Sequence, residues 1–314
     1  MKNEYSEQAS PEEADNTVKG IVALIIATLF FAGQDAITKH LTESLPVAQI
    51  ICVRFFFFSL FALIYASRTI GIREAMQSKM PFQQVLRGLL IVGEISLFTW
   101  CLHYMGLAEM HAIFACFPLL ITALSVPMLA EKVGWRRWLA VACGFIGTLI
   151  IIQPGNGNFN FYAMIALLCA LMFAVYNILT RKVSRVDYFE TSLLFFGLVG
   201  FISSVTIAPF YWQSVNSDQL FWLGTISVTS IIGHLLLIKS LQLAPAVILQ
   251  PFNYFVLVWA IIIGFFIYQE VLETTALFGA GLVVFSGIYI ARREYAISRE
   301  SNRRLRRAMY PPEA

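Results

Sequence analysis

The sequence contains few charged residues. Of its 314 residues, only 13% are Asp, Glu, Lys or Arg, whereas about a quarter of a soluble domain is charged. Hydrophobic residues make up 58%, and the mean hydropathy is +0.72. This composition excludes a soluble globular enzyme, a disordered chain and a nucleic-acid-binding domain, so we expect no nucleic-acid partner.

The sequence also lacks the common catalytic and metal-binding motifs. It contains no H-E-x-x-H, no G-x-S-x-G and no glycine-rich phosphate loop. All five cysteines lie inside apolar runs, without zinc-like spacing or a partner in a polar loop: Cys52, Cys101, Cys116, Cys143 and Cys169. We therefore expect no catalytic residues, no metal and no cofactor, and interpret the cysteines as small packing residues.

Long apolar runs dominate the chain. A bilayer core of about 30 Å needs about 20 apolar residues per helix. Ten runs meet or approach this length, at residues 19–38, 46–66, 81–104, 110–130, 138–153, 160–180, 190–209, 219–241, 245–268 and 275–291. They predict an all-α integral membrane protein with ten transmembrane helices.

Lys and Arg indicate the orientation, because cytoplasmic loops carry an excess of both. If the N-terminus is cytoplasmic, Lys39 is the single Lys or Arg of the outer loops. The inner loops then carry nine (Arg68, Arg73, Lys79, Lys132, Arg136, Arg137, Arg181, Lys182 and Arg185), and the C-terminal tail carries seven more. We predict a multi-pass protein of the bacterial inner membrane with both tails in the cytoplasm. The acidic tail is residues 1–18, without a secretory signal, and the basic tail, 292–314, is expected to touch anionic lipids.

The two halves, residues 19–153 and 154–291, resemble each other. The stretch ATLFFAGQDAITK (27–39) aligns with CALMFAVYNILTR (169–181), which places Asp35 opposite Asn177. Glu131 and Glu270 each close an apolar helix that precedes a helix rich in small residues. Since each half has five spans, the second must enter from the opposite side, which predicts two inverted repeats around a pseudo-two-fold axis.

This pattern resembles the drug/metabolite transporter superfamily, EamA type, over residues 19–291. The matching stretches are PLLITALSVPMLAEKVGWRRWLAVACGFIGTLIII and PFNYFVLVWAIIIGFFIYQEVLETTALFGAGLVVFSGIYI. The resemblance implies a ten-helix transporter. The stretch LQPFNYFVLVWA is similar to members proposed to move bulky metabolites such as S-adenosylmethionine or riboflavin.

Ionisable residues inside a membrane usually face a cavity or one another. Asp35, Arg54 and Glu94 are candidates of this kind. Arg54 could bind an anionic solute group or lock a gate, or it could form a fixed pair with Asp35 or Glu94. Glu94 could couple transport to protons, since a desolvated carboxyl can cycle between charged and neutral, or it could stay paired with Arg54.

Further candidates are polar residues in apolar helices. His234 could titrate, or it could simply hydrogen-bond to a backbone carbonyl. Pro251 removes a backbone donor, so we predict a hinge or a wall of the solute site there; a polar contact between helices is the alternative. The residues expected to contribute to this site are Gln250, Asn253 and Tyr254, together with Tyr176 and Asn177.

The sequence thus predicts a secondary transporter of a small organic metabolite that works by alternating access. Uptake of a bulky planar solute is one interpretation, and export of amino acids or related metabolites is the alternative. An integral-membrane enzyme or a non-transporting scaffold is the alternative of another class. Expected partners are the solute, membrane lipids and, if transport is coupled, protons, for a monomer or homodimer.

Overall fold

The computed structural model describes residues 11–129, 134–153, 161–183, 185–243 and 249–309. These residues form α-helices, two short 3-10 helices and connecting turns, and the described part contains no strand. A helix satisfies its own backbone N–H and C=O groups, which cannot reach water inside a bilayer. The prediction of an all-α membrane protein is confirmed.

Twelve α-helices lie within the described ranges. They are α1 (Pro11–Thr42), α2 (Val47–Arg68), α3 (Ile72–Ala75), α4 (Pro81–Leu102), α5 (Leu107–Phe114), α6 (Phe117–Leu129), α7 (Trp135–Ile152), α8 (Phe161–Val183), α9 (Phe189–Val205), α10 (Ser217–Leu243), α11 (Phe255–Tyr268) and α12 (Thr274–Met309). The 3-10 helices are Ala208–Tyr211 and Gln250–Tyr254.

Ten apolar segments among the described residues correspond to the ten predicted runs. Six are long and apolar enough to cross a membrane: Asn16–Thr42, Val47–Arg68, Pro81–Leu102, Leu107–Leu124, Phe161–Thr180 and Ser217–Leu237. Four are shorter: Trp138–Ile152, Phe189–Val205, Phe252–Tyr268 and Thr274–Ile290. Large apolar side chains one turn apart, such as Phe56, Leu60 and Ile64 on α2, are exposed on the outside of the bundle, where lipid would cover them.

The tails are more helical than predicted. Residues 11–18 form the first turns of α1, and α12 continues to Met309 through most of the predicted basic tail. The first stretch begins with Pro and two Glu, which suit the first turn of a helix, and the second is rich in Arg, which favours helix without needing an apolar face. At its other end α1 extends to Thr42. Asp35 is therefore seven residues from that end, about 10 Å, and lies deeper than the predicted boundary implied.

The fourth predicted span is broken into α5 and α6. Pro118 has no N–H to bond to the carbonyl of Phe114, so the helical ladder is interrupted at this turn. The ninth span also differs from a continuous kinked helix. Pro251 lies in the 3-10 helix Gln250–Tyr254, directly before α11.

The helices pack in a pattern that is symmetric between the two halves. The contact of α1 with α10 is matched by that of α8 with α4, and the contact of α1 with α11 by that of α8 with α6. In addition α2 packs on α9, and α7 on α12. Exchanging the halves leaves this set of pairs unchanged, as inverted repeats require.

Glycines allow α7 and α12 to approach closely. A Cβ at Gly147 would lie 2.7 Å from the carbonyl oxygen of Gly279, and a Cβ at Gly279 would lie 2.5 Å from that of Gly147. These glycines therefore serve a contact within the chain.

Candidate functional site

Arg54 lies at the centre of a group of charged and polar side chains inside the bundle. It projects from α2, is buried, and donates from Nε to Ser230 Oγ on α10 at 3.2 Å. Asp35 and Glu94 both act electrostatically on its charge. Within the described part of the chain, however, Arg54 forms no direct ion pair with either carboxylate, so the structure places the predicted partners near each other without a fixed pair.

Glu94 lies in the middle of α4 and is buried. The charges of Asp35 and Arg54 are the ones that act on it. Its backbone carbonyl accepts a hydrogen bond from Cys169 Sγ on α8 at 3.8 Å. A buried carboxyl beside an arginine and a second carboxylate can accept or release a proton when either neighbour changes its partner.

His111 on α5 is a member of this group that sequence reasoning missed. Its Nε2 lies 3.3 Å from Asp35 Oδ2, and its ring meets Phe98 edge to face at 5.4 Å. The signal was present, because the motif LAEMHAIF places one histidine in an apolar helix. Predicting that this span begins at Met110 put His111 at the membrane edge, whereas α5 begins at Leu107.

His234 on α10 is held by its own helix. Its Nδ1 lies 2.9 Å from the carbonyl oxygen of Ser230, which can only accept, so Nδ1 carries the hydrogen. Phe31 and Phe58 contact the ring edge to face, each at 5.3 Å. The structure thus supports the alternative interpretation of this residue. Ser230 joins it to Arg54, because its hydroxyl and its carbonyl bond to one residue each.

Tyr176 and Asn177 on α8 do not join the group around Arg54. The side chain of Asn177 donates to the carbonyl of Phe173 on its own helix at 2.7 Å. Tyr176 stacks on Phe173, and the guanidinium of Arg87 lies 5.7 Å from its ring centre. The repeat partners Asp35 and Asn177 therefore have different environments.

Tyr254, one of the polar residues before α11, does not join the group around Arg54. Tyr254 is buried against α12, where a Cβ at Gly287 would overlap its hydroxyl oxygen. Asn253 is half-buried. The side chains of Gln250 and Pro251 lie outside the described residues, as does Glu131, and the hinge at Pro251 stays a prediction.

A set of contacts that we name the Lys39 latch joins the halves at one end of the bundle. Lys39 Nζ forms an ion pair with Glu270 and donates to the carbonyl of Met105 at 2.7 Å. Tyr268 donates to the carbonyl of Ala36 at 2.6 Å. Gln269, at φ 55°, ends α11 and turns the chain so that Glu270 faces α1. Glu270 thus anchors the loop after α11 to α1.

A second set, the Arg87 cluster, joins the halves at the opposite end. Arg87 on α4 is only 2% exposed, donates to Gln84 Oε1 at 2.7 Å and to Thr180 Oγ1 at 3.1 Å, and also donates to the carbonyl of Ser192. Gln84 Nε2 donates in turn to Asp187 Oδ2 at 2.8 Å. Sequence reasoning missed Arg87, although it lies six residues inside the third apolar run.

Asp187 connects the α8–α9 turn to the segment before α4. Burial by itself raises the pKa of Asp187. Hydrogen bonds from Ser78, Gln84 and the backbone N–H of Lys79, with the Lys79 charge, outweigh burial and leave this pKa below its ordinary value. The carboxylate is therefore the form that the cluster binds.

A pocket of about 700 Å³ opens beside the Lys39 latch. Its polar lining includes Glu109, Glu270, Glu273 and Gln153. It lies at the end of the bundle rather than at Arg54, so it is a vestibule next to the latch and separate from the central charged group.

Comparison with known proteins identifies the family. The model of the EamA-like transporter family matches the chain twice, at residues 18–153 and 160–292. An S-adenosylmethionine uptake transporter of Rickettsia conorii is 26% identical over 279 residues, 88% of this chain and 93% of the relative. A riboflavin transporter of Vibrio cholerae is 28% identical over 287 residues, which cover 90% of this chain and 96% of the relative.

A solved structure supports the fold. A crystal structure with 17% sequence identity superposes with a TM-score of 0.61, covering 89% of this chain and 98% of that chain. The family match covers most of the sequence, and the described helices supply the membrane spans that such a protein needs. The chain therefore belongs to the EamA-like transporter family and is a multi-pass membrane transporter of a small metabolite.

Proposed function

We propose that this protein takes up a bulky planar metabolite across a bacterial inner membrane, with both termini in the cytoplasm. The solute binds between the two repeats beside Asp35, Arg54 and Glu94 and crosses without chemical change. The observation that carries this proposal is that Arg54 and Glu94 are buried and Asp35 is partly buried, on three helices, without a direct ion pair to Arg54. Charges left without a fixed partner in a membrane interior are available to a ligand.

The two sets of contacts at the ends of the bundle support alternating access. The Lys39 latch and the Arg87 cluster each connect one repeat to the other. A carrier must close one end while it opens the other, and contacts across the repeat interface are where such closure acts. The helix contacts are symmetric between the halves, which permits a second arrangement with the roles of the halves exchanged.

Aromatic rings beside the charged group support a planar solute. Phe98 contacts both His111 and Phe114, the latter at 5.2 Å, and Phe114 contacts Phe173 on α8 at 5.3 Å. Such rings bind flat ring systems through stacking and edge contacts. Relatives named for S-adenosylmethionine and riboflavin support the same class, because both solutes contain fused planar rings.

Uptake into proteoliposomes tests the proposal. We expect saturable, competable uptake of radiolabelled S-adenosylmethionine or riboflavin, and Arg54→Ala with Glu94→Gln should lower it by about tenfold or more. The matched control is Arg73→Ala with Glu74→Gln, which removes the same charges from exposed positions on α3. Uptake at the wild-type rate by the first variant would remove Arg54 and Glu94 from the mechanism, and absence of uptake of both solutes would reject this substrate class.

Orientation has its own test. Single cysteines placed in the two tails should both be protected from a membrane-impermeant reagent in intact cells and react after the membrane is opened. Reaction of one tail in intact cells would place the termini on different sides and contradict a ten-span arrangement.

A further inference from the structure

A groove of about 370 Å³ runs along the outside of the bundle between α7 and α12. Its walls are apolar: Leu139 on α7 is 60% exposed, and Phe285 on α12 is 70% exposed. Trp135 lies at the start of α7 and Tyr289 at the end of the apolar segment of α12, so both are at the same end of the groove. Trp and Tyr concentrate where a membrane meets water. This α7–α12 groove therefore faces lipid and reaches the membrane surface at that end.

The surface end of the α7–α12 groove is positively charged. Arg136 lines it, and its guanidinium lies 5.5 Å from the centre of the Trp135 ring. Arg292 and Arg293 follow Tyr289 by three and four residues, which places them one turn further along the same face of α12. These three arginines, which we name the arginine rim, attract an anion to this end of the groove.

The N-terminus of α7 adds backbone donors to the arginine rim. The first N–H groups of a helix have no partner within it, and Gly134, the N-cap of α7, makes no side-chain hydrogen bond to them. The side chains of Glu131 and Glu294, the nearest carboxylates along the two segments, lie outside the described residues. An anion at the start of α7 can accept hydrogen bonds from its N–H groups and interact favourably with the helix dipole.

Ser286 marks the interior of the α7–α12 groove as a place for an acceptor. It lines the groove, is 2% exposed, and its hydroxyl has no hydrogen-bond partner among the described residues. Thr148 on the facing helix, by contrast, donates to the carbonyl of Gly144 at 3.2 Å. A buried hydroxyl without an acceptor is costly, so the groove lacks an oxygen that a bound molecule can provide.

We propose that the α7–α12 groove binds one anionic phospholipid. The lipid phosphate lies at the arginine rim and the N-terminus of α7, and an acyl chain lies along Leu139 and Phe285. Ser286 is six residues before Arg292, about 9 Å along α12, where a glycerol ester oxygen can accept its hydrogen bond. Basic pockets between membrane helices bind anionic headgroups for the same reasons. This inference does not depend on the solute that the protein carries.

Charge favours a lipid over a second copy of the chain as the occupant. In a two-fold dimer centred on the groove, both copies have the same orientation in the membrane, so residues of equal depth meet. Each arginine rim would then face the other rim across the interface. An anionic headgroup instead brings the opposite charge to the rim.

Two lipids that differ in headgroup charge test the proposal. Native mass spectrometry of the full chain in detergent should show one molecule of dioleoyl phosphatidylglycerol retained, with an affinity about tenfold higher than for dioleoyl phosphatidylcholine. The melting temperature should rise more with the first lipid than with the second, because a ligand of the folded state stabilises it. Equal retention of both lipids would overturn the proposal. A wild-type dimer that retains no lipid would assign the groove to a second copy and overturn it as well.

Variants locate the lipid in the groove. Arg136→Gln should weaken binding of phosphatidylglycerol about tenfold, and Arg73→Gln, which removes the same charge from an exposed position on α3, should leave it unchanged. Ser286→Ala should weaken binding about threefold. Its control is Ser204→Ala, at a buried serine whose hydroxyl donates to the carbonyl of Gly200 at 2.8 Å. Wild-type binding in both Arg136→Gln and Ser286→Ala would overturn the proposal.

Crosslinking in a bilayer tests the same position without detergent. In vesicles of phosphatidylcholine that contain phosphatidylglycerol with a photoreactive acyl chain, the crosslinked peptides should include Leu139 or Phe285. Arg136→Gln should lower this yield severalfold and Arg73→Gln should not. Crosslinks spread evenly over the outer faces of all the helices, with the same yield in Arg136→Gln, would show only general lipid contact and overturn the site. None of these measurements uses a transported solute, so they can fail while the proposed function stands.

Discussion

The two ends of the bundle are closed by contacts of different kinds. At the Lys39 latch, one ion pair between side chains that are 15% and 18% exposed acts together with two hydrogen bonds to backbone carbonyls, from Lys39 and Tyr268. At the Arg87 cluster, a deeply buried guanidinium is held by neutral acceptors on its own helix and on α8 and α9. The latch depends on one pair of charges, whereas the cluster depends on a network.

This difference indicates which end opens at lower cost. Partly exposed ion pairs stabilise a protein by about 1 kcal/mol or less, because water solvates both charges when they separate. A buried arginine that loses its acceptors stays desolvated, which costs several kcal/mol. We therefore expect the latch end, where the 700 Å³ pocket already lies, to open more readily than the cluster end.

The largest effect should come from Arg87. Replacing Arg87 with Met removes three hydrogen bonds and leaves Gln84 Oε1, Thr180 Oγ1 and the Ser192 carbonyl without this donor. We expect the free energy of unfolding in detergent to fall by about 3 kcal/mol. Arg73→Met, at an exposed position, is the control. A loss no larger than that of the control would show that the two ends are held equally weakly.

Breaking the latch should have a smaller effect on stability. Lys39→Met leaves Glu270 without its ion pair and the Met105 carbonyl without its donor, and we expect a loss of about 1 kcal/mol. A double-mutant cycle with Glu270→Gln measures the coupling between the two charges. Combining Lys39→Met with Arg87→Met sharpens the comparison, because two independent ends should give additive losses.

The fold could be predicted from the sequence almost completely. Apolar runs and their duplication predicted all ten apolar helical segments, because in lipid the helix is the one local structure that satisfies each segment's backbone alone. The positions at which the fourth and ninth predicted helices are interrupted were harder to predict. Pro118 and Pro251 were visible, but whether a proline kinks a helix, ends it or begins a 3-10 turn depends on which neighbours accept the freed carbonyls.

The site could be predicted only in part. Asp35, Arg54 and Glu94 were identified because charges are rare in apolar runs, and the structure brings them close together. Two residues of the structure were missed because their depth in the membrane was misjudged. His111 was placed at an uncertain helix boundary, and Arg87 was not considered as an interior charge. Sequence also could not show that Asn177 bonds to its own helix while Asp35 faces His111, since repeat alignment carries no information about side-chain direction.

The smallest effect should come from Asp187, and it should depend on pH. Because the folded-state pKa of Asp187 is below its ordinary value, its carboxylate adds stability above the ordinary Asp range, and this contribution is lost as the pH falls through the lowered pKa. Asp187→Asn should therefore lower the melting temperature slightly at about pH 7, and the difference from wild type should shrink as the pH falls below about 4. Glu190→Gln, which removes a carboxylate three residues away outside these hydrogen bonds, is the control. If the difference in melting temperature between Asp187→Asn and wild type stays constant over this range, the negative charge of Asp187 does not contribute, and the residue acts through its packing alone. The Arg87 cluster would then be a network of neutral groups that closes its end of the bundle without an anion.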